Sequence, residues 1–288
     1  MSVKGPTPVV VIGGGTMGAG IAQALLGAGD ELAVVLVDRD EQTAQAGLDR
    51  IRSSLLRRAE RVGDPPTSVA AALARASGRG ELPADLVPAL VVEAVPEDAD
   101  LKARVLGAAA GLWPEALLAS NTSSLSIDAL AGAVGSPERF LGLHFFNPVP
   151  DSSLVEIVVG AGTNAETVAA ARHWVQRLGK ESIEVRDSPG FATSRLGLAI
   201  GLEAVRMVEE GVASAEDIDR GMVLGYKFPI GPLALTDLVG LDVRLAIARH
   251  LAREIGPRFE PPALLVDKVE RGELGRKTGQ GFFPWPAR

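Results

Sequence analysis

An α/β N-terminal domain with a mainly parallel sheet, followed by an all-α C-terminal domain, is the fold that this sequence predicts. The chain has 288 residues, which is close to two domains of about 150 residues each. Short apolar runs recur up to residue 186, and such runs are typical of strands buried on both faces of a parallel sheet. After residue 187 only helical periodicity remains. We therefore predict domains at 1–186 and 187–288.

The apolar runs define the predicted strands of the first domain. Strands are expected at 9–12, 32–37, 90–92, 116–119, 140–146, 154–159 and 182–185. Helices are expected between them, at 16–28, 41–62, 68–76, 101–112 and 167–178. The turn Asn-Pro-Val-Pro at 147–150 joins two of the strands, so these two are predicted to form a hairpin.

The second domain is predicted from its continuous helical signal. Its helices are expected at 189–210, 215–224, 231–254 and 261–271. Ser188 is a suitable N-cap for the first of these helices, and Pro189 then occupies the first helical position, where proline is tolerated.

Composition and charge exclude several classes of protein. Cysteine is absent, which excludes a disulfide scaffold, a thiol nucleophile and an iron–sulfur cluster, and we predict no metal site. No apolar run approaches the ~18 residues of a membrane span, and no signal-peptide pattern is visible at the N-terminus, so a cytoplasmic location without membrane contact is predicted. The net charge of −7 argues against nucleic acid as a partner.

The segment between the first two predicted strands carries a phosphate-binding signature. Gly13, Gly15 and Gly18 form Gly-x-Gly-x-x-Gly after a buried strand and at the start of a helix. These glycines permit a tight turn, close approach of a pyrophosphate to the backbone, and close helix–strand packing. The phosphate then meets the N–H groups of the helix N-terminus. The pattern predicts a Rossmann-type domain that binds a dinucleotide; the alternative is a glycine-rich turn that only packs an α/β fold.

The acidic residue at the end of the second strand indicates which dinucleotide binds. Asp38 follows Gly18 by 20 residues, where a carboxylate can accept a hydrogen bond from a ribose 2′-hydroxyl, so NAD is favoured over NADP. Arg39 leaves NADP open, because an arginine there can hold a 2′-phosphate. FAD uses a similar signature, but the chain lacks the length of the additional domain that most FAD enzymes carry.

One of the three histidines stands out by its surroundings. His144 lies in an apolar strand close to the 147–150 turn, and Glu156 lies twelve residues later inside the next apolar run. If the two strands form a hairpin, the two side chains can pair across it. A carboxylate fixes a histidine in one tautomer and raises its basicity, which suits a general base. The alternative is a buried ion pair with a structural role only.

Five motifs together resemble the L-3-hydroxyacyl-CoA dehydrogenases, including the bacterial 3-hydroxybutyryl-CoA dehydrogenases. Their order and spacing match that family from residue 8 to residue 283. The motifs are Val-Ile-Gly-Gly-Gly-Thr-Met-Gly-Ala-Gly-Ile-Ala-Gln (11–23), Ser-Asn-Thr-Ser-Ser-Leu (120–125), Gly-Leu-His-Phe-Phe-Asn-Pro-Val-Pro (142–150), Asp-Ser-Pro-Gly-Phe (187–191) and Gly-Arg-Lys-Thr-Gly-Gln-Gly-Phe (275–282).

The resemblance implies an enzyme that oxidises the 3-hydroxyl of an acyl thioester with NAD, in a cleft between its two domains. His144 matches the family's general base, which takes the hydroxyl proton while hydride leaves C3, and Glu156 matches the carboxylate that orients it. Ser123 matches the serine that hydrogen-bonds the reacting oxygen. The helical domain is expected to form a homodimer.

The resemblance also assigns binding residues by position. The positions that match cofactor contacts, besides the glycines and Asp38, are Met17, Glu97, Lys102, Asn147 and Lys277. Ser54 and Arg61 match contacts to coenzyme A, with arginine in place of lysine. The helix that carries them holds further arginines, which can meet the phosphates of coenzyme A or form a solvated face.

Two departures from the family pattern bear on the substrate. Ser194 stands where the family has an asparagine that belongs to the polar set around the substrate, and 151–153 is Asp-Ser-Ser where the family tends to have Met-Lys. Serine hydrogen-bonds but reaches less far. Both changes make the site more polar or roomier, so we expect a short or polar acyl group.

Three other functions remain open from the sequence. The same chemistry can act on an acyl-carrier-protein thioester such as glyceryl-ACP, as in the synthesis of polyketide extender units, because the arginine-rich helix suits an acidic carrier protein. The chain can be a non-catalytic relative that binds NAD, although its Ser123, His144 and Glu156 are all present. A generic hydroxy-acid dehydrogenase of the same architecture does not explain the motif around His144.

Overall fold

The protein is described here by a computed structural model that covers residues 6–286. Contacts within the chain divide it into two compact units, Met1–Asp187 and Ser188–Arg288. The first unit contains a sheet covered by helices, and the second is helical. Asp187 accepts hydrogen bonds from Ser126 Oγ at 2.6 Å and from the backbone N–H of Asp128 at 2.9 Å, which ties it to the first unit.

The first unit alternates strands and helices along most of its length. Its strands are β1 (Thr7–Ile12), β2 (Leu32–Val37), β3 (Ala76–Arg79), β4 (Leu90–Glu93), β5 (Leu117–Ser120), β6 (Phe140–Phe145), β7 (Leu154–Val159) and β8 (Glu181–Arg186). Its helices are α1 (Thr16–Leu26), α2 (Glu41–Val62), α3 (Pro66–Leu73), α4 (Ala99–Leu112), α5 (Ile127–Val134) and α6 (Ala165–Arg177).

The strands form one sheet in the order β3-β2-β1-β4-β5-β6-β7-β8. Neighbouring strands are parallel except β6 and β7, so the predicted mainly parallel sheet of a Rossmann-type domain is confirmed. The strand order reverses between β1 and β4, and ligands of such sheets bind beside the carboxyl ends of the strands at this point. The strands β4 and β5 are buried along their whole length and β1 is buried from Val9 to Ile12, as their apolar runs predict.

The second unit is a bundle of helices around its own apolar core. Its helices are α7 (Thr193–Glu209), α8 (Ala215–Gly225), α9 (Pro232–Val239), α10 (Leu241–Ile255) and α11 (Ala263–Glu270). Leu198, Leu202, Leu233, Leu245 and Leu251 are among the buried residues of this core. The predicted all-α C-terminal domain is thus present.

Two predicted features of the second unit are wrong, for reasons of backbone conformation. Ser188 does not cap a helix, because Gly190 and Phe191 adopt φ of 74° and 49°, and the helix begins at Thr193 instead. The predicted helix 231–254 is broken at Gly240, whose φ of 105° is incompatible with a continuous α-helix, so α9 and α10 are separate.

Two elements of the first unit were not predicted because their local signal is weak. The strand β3 has the sequence Ala-Ser-Gly-Arg and lies at the edge of the sheet beside β2, where no continuous apolar run is needed. The helix α5 is only eight residues long and begins after Ser126, whose side chain accepts a hydrogen bond from the N–H of Ala129.

Candidate active site

The glycine turn between β1 and α1 has a backbone that requires glycine at two positions. Gly13 has φ of 107°, a conformation that other residues rarely adopt. A Cβ atom on Gly18 would lie 1.7 Å from the carbonyl oxygen of Gly13, which only glycine avoids. The turn thereby brings the N-terminus of α1 directly onto the end of β1.

A cavity of about 930 Å³ opens beside this turn. Its wall includes the segment 13–17, with Gly15 and the half-buried Met17, and the segment 94–96 that follows β4. Within the described part of the chain, no atom beyond the two neighbouring residues lies within 4 Å of the position that a Cβ on Gly15 would take, and no side chain caps α1. The amides of this helix N-terminus are thus available to a phosphate, and the cavity is large enough for a dinucleotide. These residues fit NAD.

Asp38 stands in the wall of the same cavity, at the end of β2. Its Oδ2 accepts the backbone N–H of Gly14 at 2.6 Å, so the carboxylate also holds the glycine turn in place. Arg39 lines the cavity too, but its guanidinium is 81% exposed and lies 3.3 Å from Asp40 and 3.2 Å from Thr43 Oγ1. A carboxylate at this position favours a ribose hydroxyl over a phosphate, because two anions repel each other.

His144 and Glu156 face each other across the hairpin formed by β6 and β7. The strands are antiparallel with these residues in direct register, and His144 Nδ1 lies 2.6 Å from Glu156 Oε2. Glu156 is fully buried and His144 is 6% exposed. The short distance and the burial fix the imidazole in one orientation. The hairpin and the pairing expected from the sequence are both present.

Ser123 lies in the loop after β5, which neighbours β6 in parallel register. His144 is near the carboxyl end of β6, so both residues lie at the same edge of the sheet as the glycine turn. Asn121, which was not predicted, supports this arrangement because its Oδ1 accepts the backbone N–H of Phe145 at 2.9 Å. Its only signal in the sequence is its place directly after a buried strand.

Glu97 holds the loop that carries Ser123. Its Oε1 accepts Thr122 Oγ1 at 2.7 Å, the N–H of Ser123 at 2.9 Å and the N–H of Ser124 at 3.0 Å. Burial by itself raises the pKa of this carboxyl, but the hydrogen bonds from the loop and the charge of Lys102 outweigh it, so the pKa falls below its ordinary value. Glu97 therefore remains ionised and orders the loop.

Lys102 is buried in α4 and pairs with an acidic residue that the sequence left unassigned. Its Nζ lies 2.6 Å from Glu93 Oε1 and 3.4 Å from Glu97 Oε2, and Ser120 Oγ donates to Glu93 Oε2 at 2.6 Å. Glu93 and Lys102 are almost completely buried. The structure thus places Lys102 beneath the loop that Glu97 orders, where it supports this carboxylate. A carboxylate at the end of a strand next to β1 is the signal that could have identified Glu93.

The residues predicted to contact coenzyme A lie on α2, and one of the two lines a cavity. Ser54 lines a second cavity of about 540 Å³, together with Asn147 and Pro148 after β6. Arg61 is not part of that lining; its Nη2 lies 3.1 Å from Asp151 Oδ1 in an exposed ion pair. The predicted cofactor contact Asn147 is found in this second cavity and not in the one beside the glycine turn.

The two predicted site residues of the second unit occupy different elements. Ser194 is half-buried in the first turn of α7. Lys277 lies in the segment after α11, where its Nζ contacts Asp242 Oδ1 at 2.5 Å and Oδ2 at 2.6 Å. Burial raises the pKa of Asp242, but the bond from Lys277 outweighs it, and the pKa lies below its ordinary value.

Family models match both units of the chain. Residues 8–188 match the model described as 3-hydroxyacyl-CoA dehydrogenase, NAD binding domain. Residues 190–285 match the model described as 3-hydroxyacyl-CoA dehydrogenase, C-terminal domain. The chain belongs to the 3-hydroxyacyl-CoA dehydrogenase family. The resemblance expected from the sequence motifs is confirmed, and an NAD-binding domain is part of this family's architecture.

Relatives in the 3-hydroxyacyl-CoA dehydrogenase family are similar to this chain over almost their whole length. The probable 3-hydroxybutyryl-CoA dehydrogenase of Bacillus subtilis is 38% identical over 279 residues, which cover 96% of each chain. The 3-hydroxybutyryl-CoA dehydrogenase of Mycobacterium tuberculosis is 40% identical over 285 residues, which cover 96% of this chain and 98% of the relative.

Solved structures of the family share the fold. The (S)-3-hydroxybutyryl-CoA dehydrogenase PaaH1 of Ralstonia eutropha superposes with a TM-score of 0.91 at 41% identity, covering 98% of this chain and 100% of its own. FadB2 of M. tuberculosis superposes with a TM-score of 0.90 at 39% identity over the same shares. Among residues 6–286, no helix has the length and apolar character to cross a membrane, and no cluster of ligating side chains could hold a metal ion.

Proposed function

We propose that this protein oxidises the 3-hydroxyl of an acyl-CoA thioester to the 3-oxo group, with NAD as its cofactor. The observation that carries the proposal is the buried pair of His144 and Glu156, at 2.6 Å, near the carboxyl end of β6. This is the sheet edge at which the glycine turn and its cavity lie. Family membership and the names of the relatives agree with the reaction.

His144 acts as the general base in this proposal. Its Nδ1–H donates to Glu156, so Nε2 is the atom that accepts the proton of the 3-hydroxyl group. The positive charge that develops on the ring is stabilised by the Glu156 carboxylate, which is already in place and needs no rearrangement. A positioned base of this kind contributes a factor of ~10²–10⁴ in rate.

Ser123 and Ser194 hold the reacting part of the substrate. We assign to Ser123 a hydrogen bond to the oxygen at C3, because Glu97 fixes the Ser123 backbone by a bond of 2.9 Å. Ser194 takes the place of a longer amide side chain and is assigned a polar contact to the same part of the substrate. Ser194 and Asp-Ser-Ser at 151–153 together make the site more polar or roomier, and this is the reason to expect a short or polar acyl group.

The cofactor is assigned to the cavity beside the glycine turn. Gly13, Gly15, Met17 and Gly18 would hold its pyrophosphate side, and Asp38 its adenosine ribose. Bound NAD supplies the two-electron oxidation at C3 of the substrate. Glu97, Lys102, Asn147 and Lys277 remain proposed cofactor contacts. For Lys102 the burial in the structure favours an indirect role through Glu97.

Coenzyme A is the carrier that we propose. Ser54 lines the 540 Å³ cavity, and Arg57, which shares that lining, supplies positive charge for phosphate groups. Arg61 is a proposed contact as well, after release from Asp151. The relatives carry the name of CoA substrates, so an acyl-carrier-protein thioester is not favoured.

A substrate panel followed by the appearance of NADH tests the function. Purified protein is expected to oxidise 3-hydroxyacyl-CoA thioesters with NAD, more slowly with NADP, and to lose ~10²-fold or more of kcat when His144 is replaced by alanine. NAD binding should survive that replacement. No turnover of any thioester by the wild type, together with intact NAD binding, would identify a non-catalytic relative instead.

We also propose that two copies associate through the helical unit. Apolar side chains on α7, α9 and α10 are exposed, with Leu196 63%, Val239 41% and Val243 41% accessible, and exposed apolar side chains of this kind are common at protein interfaces. Light scattering should show a dimer, and Leu196→Glu should shift it towards the monomer. A monomeric wild type at micromolar concentration contradicts this. The cytoplasmic location stays a prediction for cell fractionation.

A further inference from the structure

Arg244 on α10 is a buried cation without a partner in the described part of the chain. It is 7% exposed, and its Nε has no hydrogen-bond partner. Burial lowers the pKa of this guanidinium, and no neighbouring carboxylate acts on it in the opposite direction. Two buried carboxylates of the second unit are satisfied: Asp237 and Asp219 both accept backbone N–H groups.

An unpaired buried charge is costly, because its hydration is lost and nothing replaces it. Replacing a buried ion by an apolar side chain of similar size is often neutral or stabilising. A methionine or leucine at position 244 would therefore serve the core of this helical bundle at least as well. The arginine is explained if an anion from outside the described chain completes its hydrogen bonds.

The position of the guanidinium points to the substrate. Arg244 Nη1 lies 3.9 Å from the place that a Cβ on Gly197 would occupy, and among residues 6–286 no other atom outside the adjoining part of α7 lies within 4 Å of that place. The guanidinium thus lies beside Gly197, the position on this part of α7 that has no side chain. Ser194 precedes Gly197 by three residues, and residues at this spacing share one face of a helix. Ser194 is the residue on α7 that the proposed function assigns to the substrate.

We propose that Arg244 binds a carboxylate at the far end of the acyl group, so that the substrate class is a 3-hydroxyacyl-CoA with an ω-carboxylate. The inference rests on the proposed function and adds the chemistry of the acyl end to it. A guanidinium presents paired N–H donors that match the two oxygens of a carboxylate. The replacement of the family's bulkier residues by Ser194 and by Asp-Ser-Ser at 151–153 agrees with a polar acyl group.

The test compares pairs of substrates that differ only at the acyl end. Pairs with four, five and six acyl carbons, ending in a carboxylate or a methyl group, are measured with NAD by the appearance of NADH; the six-carbon pair is 3-hydroxyadipyl-CoA and 3-hydroxyhexanoyl-CoA. The quantity measured is the ratio of kcat/KM within each pair. We expect the wild type to favour the substrate that ends in a carboxylate. Arg244→Met should lower the ratio by ~10²-fold or more, because the carboxylate then enters the site without a guanidinium to pair with.

Two control variants separate charge, shape and folding. Arg249→Met removes the same charge from an exposed position of the same helix and should leave the ratio unchanged. Arg244→Lys keeps the charge without the paired donors and should give an intermediate ratio. The inference is overturned if the wild type favours the methyl-ended substrates, or if Arg244→Met changes both members of a pair equally. It is also overturned if Arg244→Met dissociates the dimer while the ratio stays constant, because Arg244 then serves a subunit contact.

A binding measurement makes this inference independent of turnover. Adipyl-CoA and hexanoyl-CoA lack the 3-hydroxyl and do not react, so their dissociation constants can be measured by calorimetry on the full chain. We expect adipyl-CoA to bind the wild type more tightly than hexanoyl-CoA, and Arg244→Met to abolish the difference. If the wild type oxidises no thioester, the proposed function fails, and the binding comparison then decides the role of Arg244 by itself. Equal dissociation constants of adipyl-CoA and hexanoyl-CoA overturn that role.

Discussion

At the scale of single residues, His144 depends on Glu156 in two ways. Glu156 fixes the tautomer of the imidazole, and its negative charge stabilises the imidazolium that forms when His144 takes up a proton. Glu156→Gln keeps the shape of the side chain but removes the negative charge that stabilises the imidazolium. We expect kcat to fall by ~10²–10⁴-fold with little change in KM, as is found when the carboxylate of a histidine–carboxylate pair is replaced by an amide. Steady-state kinetics with NADH absorbance measure this.

Glu184→Gln provides a matched control on the neighbouring β8. Glu184 is a half-exposed carboxylate that pairs with Arg172. We therefore expect its replacement to leave kcat unchanged. An equal loss of kcat in both variants would show that Glu156→Gln lowers kcat by general destabilisation of the fold. The free energy of unfolding of both variants, measured in urea, distinguishes the two cases.

Asp38 sets the choice between NAD and NADP through its charge. Asp38→Ser removes the repulsion of a 2′-phosphate and also the 2.6 Å bond to the Gly14 N–H. We expect the ratio of kcat/KM for NAD over NADP to fall by about tenfold or more. Arg39→Ala added to this variant should weaken NADP again. An unchanged ratio in Asp38→Ser would show that Asp38 serves only to hold the glycine turn.

At the scale of elements, Asp237 attaches the C-terminal segment to α9. It is 1% exposed, and its oxygens accept the N–H of Phe282 at 2.8 Å, the N–H of Phe283 at 2.9 Å and Trp285 Nε1 at 2.8 Å. Asp237→Ala leaves three donors unsatisfied, so we expect a loss of about 3 kcal/mol in unfolding free energy. Denaturant unfolding followed by tryptophan fluorescence measures it, and Asp267→Ala, in α11, is the control.

The loop after β5 depends on the ionised carboxylate of Glu97. Because the pKa of Glu97 is lower in the folded protein than the ordinary value of 4.5, the stabilisation is present above pH 4.5 and is lost as the pH falls through the folded pKa. Glu97→Gln should therefore be less stable than the wild type at pH 7, by on the order of 1 kcal/mol, and the difference should shrink below pH 4.5. Urea unfolding at several pH values tests this; a constant difference contradicts it.

At the scale of the whole molecule, the sequence predicts what local patterns encode. The glycine turn, the central strands and the hairpin of β6 and β7 are each specified by adjacent residues, so they were predicted with the facing pair His144 and Glu156. Glu93, Asn121 and Arg244 were not, because their importance arises from burial and from partners, or a missing partner, distant in the chain. The break at Gly240 depends on one backbone angle that hydrophobic periodicity does not report.

The two units of the molecule have separate apolar cores, centred on the sheet and on the helical bundle. Ligands and mutations that act within one unit should therefore shift the unfolding of that unit more than the other. Saturating NAD, at about 100 times its dissociation constant, should add about 2.7 kcal/mol of unfolding free energy, chiefly to the first unit, because it binds only the folded state and all its proposed contacts except Lys277 lie in that unit. Asp237→Ala should lower the unfolding free energy of the second unit. Hydrogen exchange by mass spectrometry resolves the two: NAD is expected to slow exchange in β1, β4 and β5, and Asp237→Ala to speed it in α9 and α11. Equal changes throughout the chain would instead show that both units unfold as one.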